Sequence, residues 1–237
     1  MKISTWNVNS VNARIEHLEK FIKKDQSDIY LLQELKTIED GFPKEVIKNA
    51  GYYSYVNGQK AWNGVAILSK EKLEITNTSI PKYDDPNARF IETEIQLKKI
   101  KKNIKLINIY LPNGNPIETE KFDYKIKWMK KFNSYIQGLK NKNIPIIISG
   151  DFNVIPTDDD VYSPENFKND ACTHPLTREQ YRILINMGFT DLVKHFVEGK
   201  TNWTFWGYRG GGWQKGNGLR IDHFLTTANV TDLVNNV

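Results

Sequence analysis

A single cysteine, Cys172, occurs in the 237 residues. That excludes an internal disulfide and a thiolate metal cluster, and it fits a reducing compartment. No apolar run approaches the roughly 20 residues that a membrane-spanning helix needs, so no membrane partner is expected. No stretch repeats, and no glycine cluster forms a Walker loop or a dinucleotide fingerprint. Gly210-Gly211-Gly212 lacks the strand-to-helix setting of such loops and reads as a surface segment. What is present describes a folded chain: 39% hydrophobic and 12% aromatic residues, with a net charge of +5 and a pI near 9.0. That balance favours polyanionic partners, nucleic acid among them, without identifying one. The length predicts one domain over 1–237, expected as a monomer. Because Met1 to Asn7 already reads as a strand, no signal peptide precedes the fold, and a cytoplasmic protein is expected.

Hydrophobic periodicity predicts an amphipathic helix over Val11 to Lys24, a short one over Lys44 to Ala50, a long one over Glu118 to Leu139 and a fourth over Arg178 to Met187. Short strands are predicted at Tyr52 to Val56, Gly64 to Leu68, Leu73 to Ser79, Phe90 to Leu97 and Leu219 to Leu225. The lysines around Ile100 read as a solvated hairpin connection. Two facing sheets with helices outside would satisfy this plan.

Four apolar runs hand over to polar residues at their carboxyl ends, where open α/β folds place their chemistry. Met1 to Thr5 leads to Trp6-Asn7, and Ile29 to Leu32 leads to Gln33-Glu34. Ile104 to Ile109 leads to Tyr110, and Ile144 to Ile148 leads to Ser149-Gly150-Asp151-Phe152-Asn153. Glu34 is a hard oxygen ligand suited to Mg²⁺, for which Mn²⁺ would substitute. Asp151 is the candidate to orient or deprotonate an attacking water. Asn7 and Asn153 offer uncharged amide donors for phosphate oxygens, and Asn153 shares the side of Asp151 if the backbone stays extended. Asp222, inside a strand-like run, needs a partner to remain ionised, and a histidine is expected. Between Trp203 and Arg220, Phe205, Trp206, Tyr208 and Trp213 interleave with Arg209, Lys215 and Arg220. Such a surface suits distorted DNA, the rings filling a missing base's place and the cations holding flanking phosphates.

These motifs, with Asn63-Gly64-Val65-Ala66, Tyr110-Leu111-Pro112-Asn113-Gly114 and Arg220-Ile221-Asp222, occur in the order of the exonuclease III family, which the chain resembles over nearly its whole length. The resemblance implies a four-layer α/β sandwich, two mixed β-sheets packed face to face with helices on both outer sides. It implies Mg²⁺-dependent cleavage of double-stranded DNA 5′ to abasic sites, with removal of 3′ blocking groups or nucleotides. Glu34 then matches the metal ligand, Asp151 the water-positioning group and Asn7 and Asn153 the phosphate holders. Tyr110 matches the tyrosine near the scissile phosphate, Asp222 the aspartate that orients a catalytic histidine, and Phe205-Trp206 the lining of the abasic pocket. In the family that histidine follows in a Ser-Asp-His motif about thirty residues beyond Arg-Ile-Asp, and the sequence ends at Val237 before it, as a truncated chain would. His17, His174 and His195 read as surface or packing residues, and His223 faces away from Asp222 on a strand. The competing readings are a related phosphodiesterase acting on a non-DNA phosphate ester, and a DNA-binding module that does not cleave.

Overall fold

The computed structural model describes residues 1–96, 103–197, 202–207 and 211–237. It is a mixed α/β fold with two large mixed β-sheets and helices. The chain groups into two compact units, Met1–Tyr110 with Ile144–Asp151, and Leu111–Asn143 with Phe152–Val237.

The first unit holds β1 (Ile3–Asn7), α1 (Ile15–Asp25), β2 (Ile29–Gln33), α2 (Lys44–Asn49), β3 (Tyr53–Asn57), β4 (Val65–Ser69), β5 (Ile75–Asn77), β6 (Phe90–Gln96), β7 (Asn103–Tyr110) and β8 (Ile146–Asp151). One sheet runs in the order β1-β2-β4-β3. In it β1 and β2 are parallel, with Asn7 opposite Gln33, and β4 is antiparallel to β2 and β3. Every residue of β2 and β4 is buried, in keeping with four nonpolar side chains in each before the closing Gln33 and Ser69. α1 covers the outer face by placing Leu18 and Ile22 against Tyr30, Leu32, Ala66 and Leu68. The strands β5-β6-β7-β8 belong to the other sheet, where β7 and β8 run parallel with Tyr110 opposite Asp151. The two parallel pairs therefore bring their carboxyl ends out in register. At the β7–β8 pairing a side chain at Gly150 (φ 135°) would put its Cβ 2.0 Å from the Ile109 carbonyl oxygen, so only glycine fits before Asp151.

Buried amides lock the facing sheets. Gln33 Nε2 donates to Asn108 Oδ1 at 2.7 Å, and Asn108 Nδ2 donates to the carbonyls of Leu32 and Ala66 at 3.0 and 2.9 Å. All are withdrawn from water, so each bond must form for the sheets to close, which fixes their relative register.

The second unit contains α3 (Glu120–Asn141), α4 (Pro175–Asn186), β9 (Phe189–Asp191), α5 (Leu192–Phe196), β10 (Phe205–Trp206), β11 (Gly218–Leu219), β12 (Asp222–Thr227) and α6 (Ala228–Thr231). α3 buries Phe122, Ile126, Met129, Phe132 and Ile136, the predicted stripe. It joins α4 through Asn133 Nδ2, which donates to the Gln180 carbonyl at 3.0 Å.

Several boundaries differ from the sequence expectation. The first helix begins as a 3-10 turn over Asn12–Arg14 before α1. α4 starts at Pro175, which is tolerated at the first helical position, with His174 accepting the Leu176 N–H as cap. β5 is shorter than Leu73 to Ser79 because its pairing with β6 is irregular between Ile75 and Asn77. The run Leu219 to Leu225 is broken: Arg220 and Ile221 lie outside regular strand, and Asp222 opens β12. β6 and β7 form the predicted antiparallel pair, whereas the lysines around Ile100 lie outside the described residues. Among the described residues, no helix is long and apolar enough to cross a membrane.

Candidate active site

Four of the sequence candidates meet in the first unit. Asn7 Nδ2 donates to Glu34 Oε1 at 3.0 Å and to Asp151 Oδ2 at 2.9 Å, so one carboxamide bridges both carboxylates. Its orientation is set from behind, because Asn7 Oδ1 accepts the Asn9 N–H at 3.0 Å and the amino end must face the acids. Tyr110 Oη donates to the same Glu34 Oε1 at 2.7 Å. Lys36 Nζ pairs with Glu34 Oε2 at 3.0 Å and also donates to Asn9 Oδ1.

Left-handed backbone aims these groups. Glu34 and Lys36 have φ of 54° and 55°, and Asn9 and Ser10 have 44° and 84°. None is glycine, and each such residue costs of order 1–3 kcal/mol unless its surroundings hold it. Here hydrogen bonds beyond the strand ends do so. Ser10 N donates to Glu34 O at 2.7 Å, Val11 N to Leu35 O at 3.1 Å, Leu35 N to Gly64 O at 3.2 Å and Lys36 N to Asn63 O at 3.0 Å.

Burial alone would raise the Glu34 pKa, but hydrogen bonds from Asn7, Tyr110 and Lys36, with the Lys36 charge, outweigh it and hold the carboxyl below its ordinary value. Glu34 is thus an ionised oxygen donor. The Tyr110 phenol is pushed up, first by burial and then by the Glu34 and Asp151 charges, so it stays protonated and donates. The Arg89 guanidinium lies over the Tyr110 ring, 4.9 Å from its centroid, and Nη1 donates to the Tyr110 carbonyl at 3.1 Å.

In this network Asn7 spends its amino group on the two acids, where the sequence reading gave it to phosphate. Lys36, Asn9 and Arg89 were not singled out from sequence. Lys36 and Asn9 each stand two residues from a candidate, the spacing at which a left-handed turn brings a side chain back.

Asn153 and Asp222 belong to the second unit. Phe152 N donates to Ile221 O at 2.9 Å, which runs their two segments side by side. Asn153 has φ 47°, so the extended backbone that would aim it with Asp151 is not formed. Its Nδ2 donates to Leu111 O at 2.9 Å, and its Oδ1 accepts from Asn113 Nδ2 at 3.2 Å. Trp206, in β10, meets Trp213 edge to face at 4.4 Å. Trp213 and Phe205 are 66% and 39% exposed, and Lys215 is exposed, as a contact surface requires. Arg209 lies outside the described residues.

Arg220 is not part of that surface. It is 2% exposed; its Nε pairs with Asp160 Oδ1 at 2.7 Å, and its Nη1 meets Asp191 Oδ2 and His223 Nδ1, both at 2.8 Å. The DNA-contact expectation fails because two carboxylates far away in sequence draw this cation inward.

Within the cluster His223 faces Arg220, Asp191 and the Tyr181 ring, and its Nε2 donates to Val154 O at 2.9 Å. Burial, then the Arg220 charge, pushes its pKa from 6.5 down to about 4. Between these values the unfolded chain binds the proton first. The His223 contribution to stability is therefore complete above pH 6.5 and falls as pH drops towards 4, by about 3 kcal/mol in all. Urea midpoints measured across this range should fall steeply for the wild type and less for His223→Gln. Equal slopes would show that other groups carry the acid sensitivity.

The sequence profile of the Endonuclease/Exonuclease/phosphatase family matches residues 4–234. Exodeoxyribonuclease III of Haemophilus influenzae is 33% identical, over 98% of this chain and 90% of the relative. An exodeoxyribonuclease of Bacillus subtilis is 30% identical, over 99% and 91%. Among solved structures, an AP endonuclease from Archaeoglobus fulgidus superposes with a TM-score of 0.91 at 32% identity, covering 98% of this chain and 88% of that one. A Neisseria 3′ phosphatase bound to a product DNA hairpin gives 0.91 at 31%, with the same coverage.

Proposed function

Since this chain belongs to the endonuclease/exonuclease/phosphatase family as an exodeoxyribonuclease III-like nuclease, we propose that it hydrolyses duplex DNA 5′ to abasic sites and clears 3′-blocked ends, with Mg²⁺ as cofactor. The observation that carries this reading is the single carboxamide of Asn7 shared by Glu34 and Asp151 at the ends of strands. It holds two acids side by side for different duties.

Nucleases of this family are metal-dependent, and the donor set fits Mg²⁺. Glu34 is a hard oxygen ligand kept ionised by its neighbours, and Mg²⁺ commonly takes one or two carboxylates, completing its shell with water and substrate phosphate. When bound at Glu34, the metal would neutralise charge developing on the phosphoryl group. Asp151, fixed by Asn7 and 3% exposed, positions the attacking water and accepts its proton. Tyr110, protonated and braced by Arg89, spends its one O–H on Glu34 and is assigned a place beside the scissile phosphate. Asn153 holds phosphate through its carboxamide, and Asp222 is assigned to orient an imidazole. Phe205, Trp206, Trp213 and Lys215 contact the DNA around the missing base.

A duplex carrying one synthetic abasic site tests the assignment. With Mg²⁺, cleavage 5′ to the site leaving a 3′-hydroxyl is expected. In EDTA cleavage stops while DNA binding persists. Hydrolysis of a small phosphate diester without cleavage of the abasic duplex would overturn it in favour of a non-DNA substrate.

A further inference from the structure

We propose that Lys125 is a positioning residue that holds Asn153 in its working orientation. Lys125 lies on the inward stripe of α3 between Phe122 and Met129, next to Ile126, and is 0% exposed. An ammonium in such a place is costly unless its hydrogens are used. Two of them are used on backbone: Nζ donates to the Asn153 carbonyl at 2.6 Å and to the Asn113 carbonyl at 3.0 Å. One cation thus clasps the segment that follows β7 to the segment that follows β8.

The clasp acts where the chain is least regular. Asn153 has φ 47° and Gly114 φ 87°, and fixing the peptide plane after Asn153 fixes the direction in which its side chain leaves the backbone. The side chains repeat the link, with Asn113 Nδ2 donating to Asn153 Oδ1 and Asn153 Nδ2 donating to Leu111 O. Gly114 provides room for the lysine stem, since a Cβ there would lie 2.5 Å from Lys125 Cδ. On the far side Asn115 anchors the loop, its Nδ2 donating to Asp170 Oδ2 and its Oδ1 accepting the Ala171 N–H, both at 2.9 Å. Methionine at 125 would fill the same volume but could not bond either carbonyl. Arginine would keep the charge and displace the donors.

The catalytic part of this role depends on Asn153 holding phosphate, as proposed above, so two readouts are needed. The first is turnover of the abasic duplex with Mg²⁺ by wild type, Lys125→Met, Lys125→Arg, Asn153→Ala and the Met/Ala double variant. Lys125→Met should lower kcat by about 10- to 100-fold with little change in KM, because a misplaced group loses its hold mainly in the transition state. The double variant should be no slower than Asn153→Ala, and Lys125→Arg should recover part of the rate. The second is the side-chain amide resonances of Asn113 and Asn153 in ¹⁵N NMR, which should shift or broaden in Lys125→Met and move less in Lys125→Arg. Additive losses in the cycle, or unchanged amide resonances, would overturn the positioning role. Should Lys125→Met not fold, Lys125→Arg combined with Asn153→Ala provides the same cycle. If the wild type cleaves no abasic duplex, the functional assignment fails, and the amide resonances still decide whether Lys125 positions Asn153.

Discussion

Asp151→Asn should cleave an abasic duplex at least about 10²-fold more slowly than the wild type, the loss expected when the group that activates the nucleophile goes. The substitution keeps shape. An asparagine carbonyl oxygen at 151 can still accept from Asn7 Nδ2, so the Asn7–Glu34 bond and the strand end remain in place. The carboxylate charge and its proton affinity disappear, which should lower kcat while KM for the duplex changes little. Glu34→Gln provides the contrast. Asn7, Tyr110 and Lys36 all direct donors at Glu34, and an amide there would face one of them with its own N–H. That variant should need more Mg²⁺ for half-maximal rate and melt lower, whereas Asp151→Asn should keep the wild-type Mg²⁺ requirement. Steady-state rates over a Mg²⁺ titration separate the two, and a normal rate for Asp151→Asn would remove that residue from the mechanism.

Much of this site was legible because strand ends leave plain marks in a sequence. β2 and β4 are apolar up to their last residues, and Asn7, Gln33, Tyr110 and Asp151, which close β1, β2, β7 and β8, stand where the parallel pairs bring them level. The α3 stripe fixed that helix to within two residues at each end. Backbone handedness was not legible. An extended backbone would carry Asn153 to the side of Asp151, whereas Asn153 and Glu34 both stand at positive φ, which is uncommon outside glycine; asparagine only favours it, and nothing local announces it for Glu34. Lys125 did leave a signal that helical periodicity carries: three residues after Phe122 and four before Met129, a cation occupies an apolar position.

Arg220 misled for the opposite reason, and Arg220→Met should be the most destabilising change in the second unit. Its neighbours in sequence are aromatic and basic, which suggested a DNA-facing surface, whereas its partners Asp160 and Asp191 are far along the chain. Asp160 shows how tightly the cluster is held. Burial alone would raise its pKa, but Arg220 leads the contacts that bring it from 3.8 down to about 2, with Lys194 and Thr157 assisting. The contribution of that carboxylate to stability is complete above pH 3.8 and lost as pH falls through about 2, so Asp160 is fully ionised at neutral pH, where His223 is neutral. Removing the guanidinium would leave Asp160 with Lys194 and Thr157, Asp191 with the Tyr181 hydroxyl, and His223 without its Nη1 contact. Breaking a buried pair from one side costs about 3–5 kcal/mol, because the remaining charge stays out of water. Urea unfolding at pH 7 should show a loss of that size for Arg220→Met. The fraction that remains folded should bind duplex DNA with the wild-type dependence on salt, since Arg220 neutralises no phosphate. A salt slope reduced by about one unit, with stability unchanged, would return Arg220 to the DNA surface.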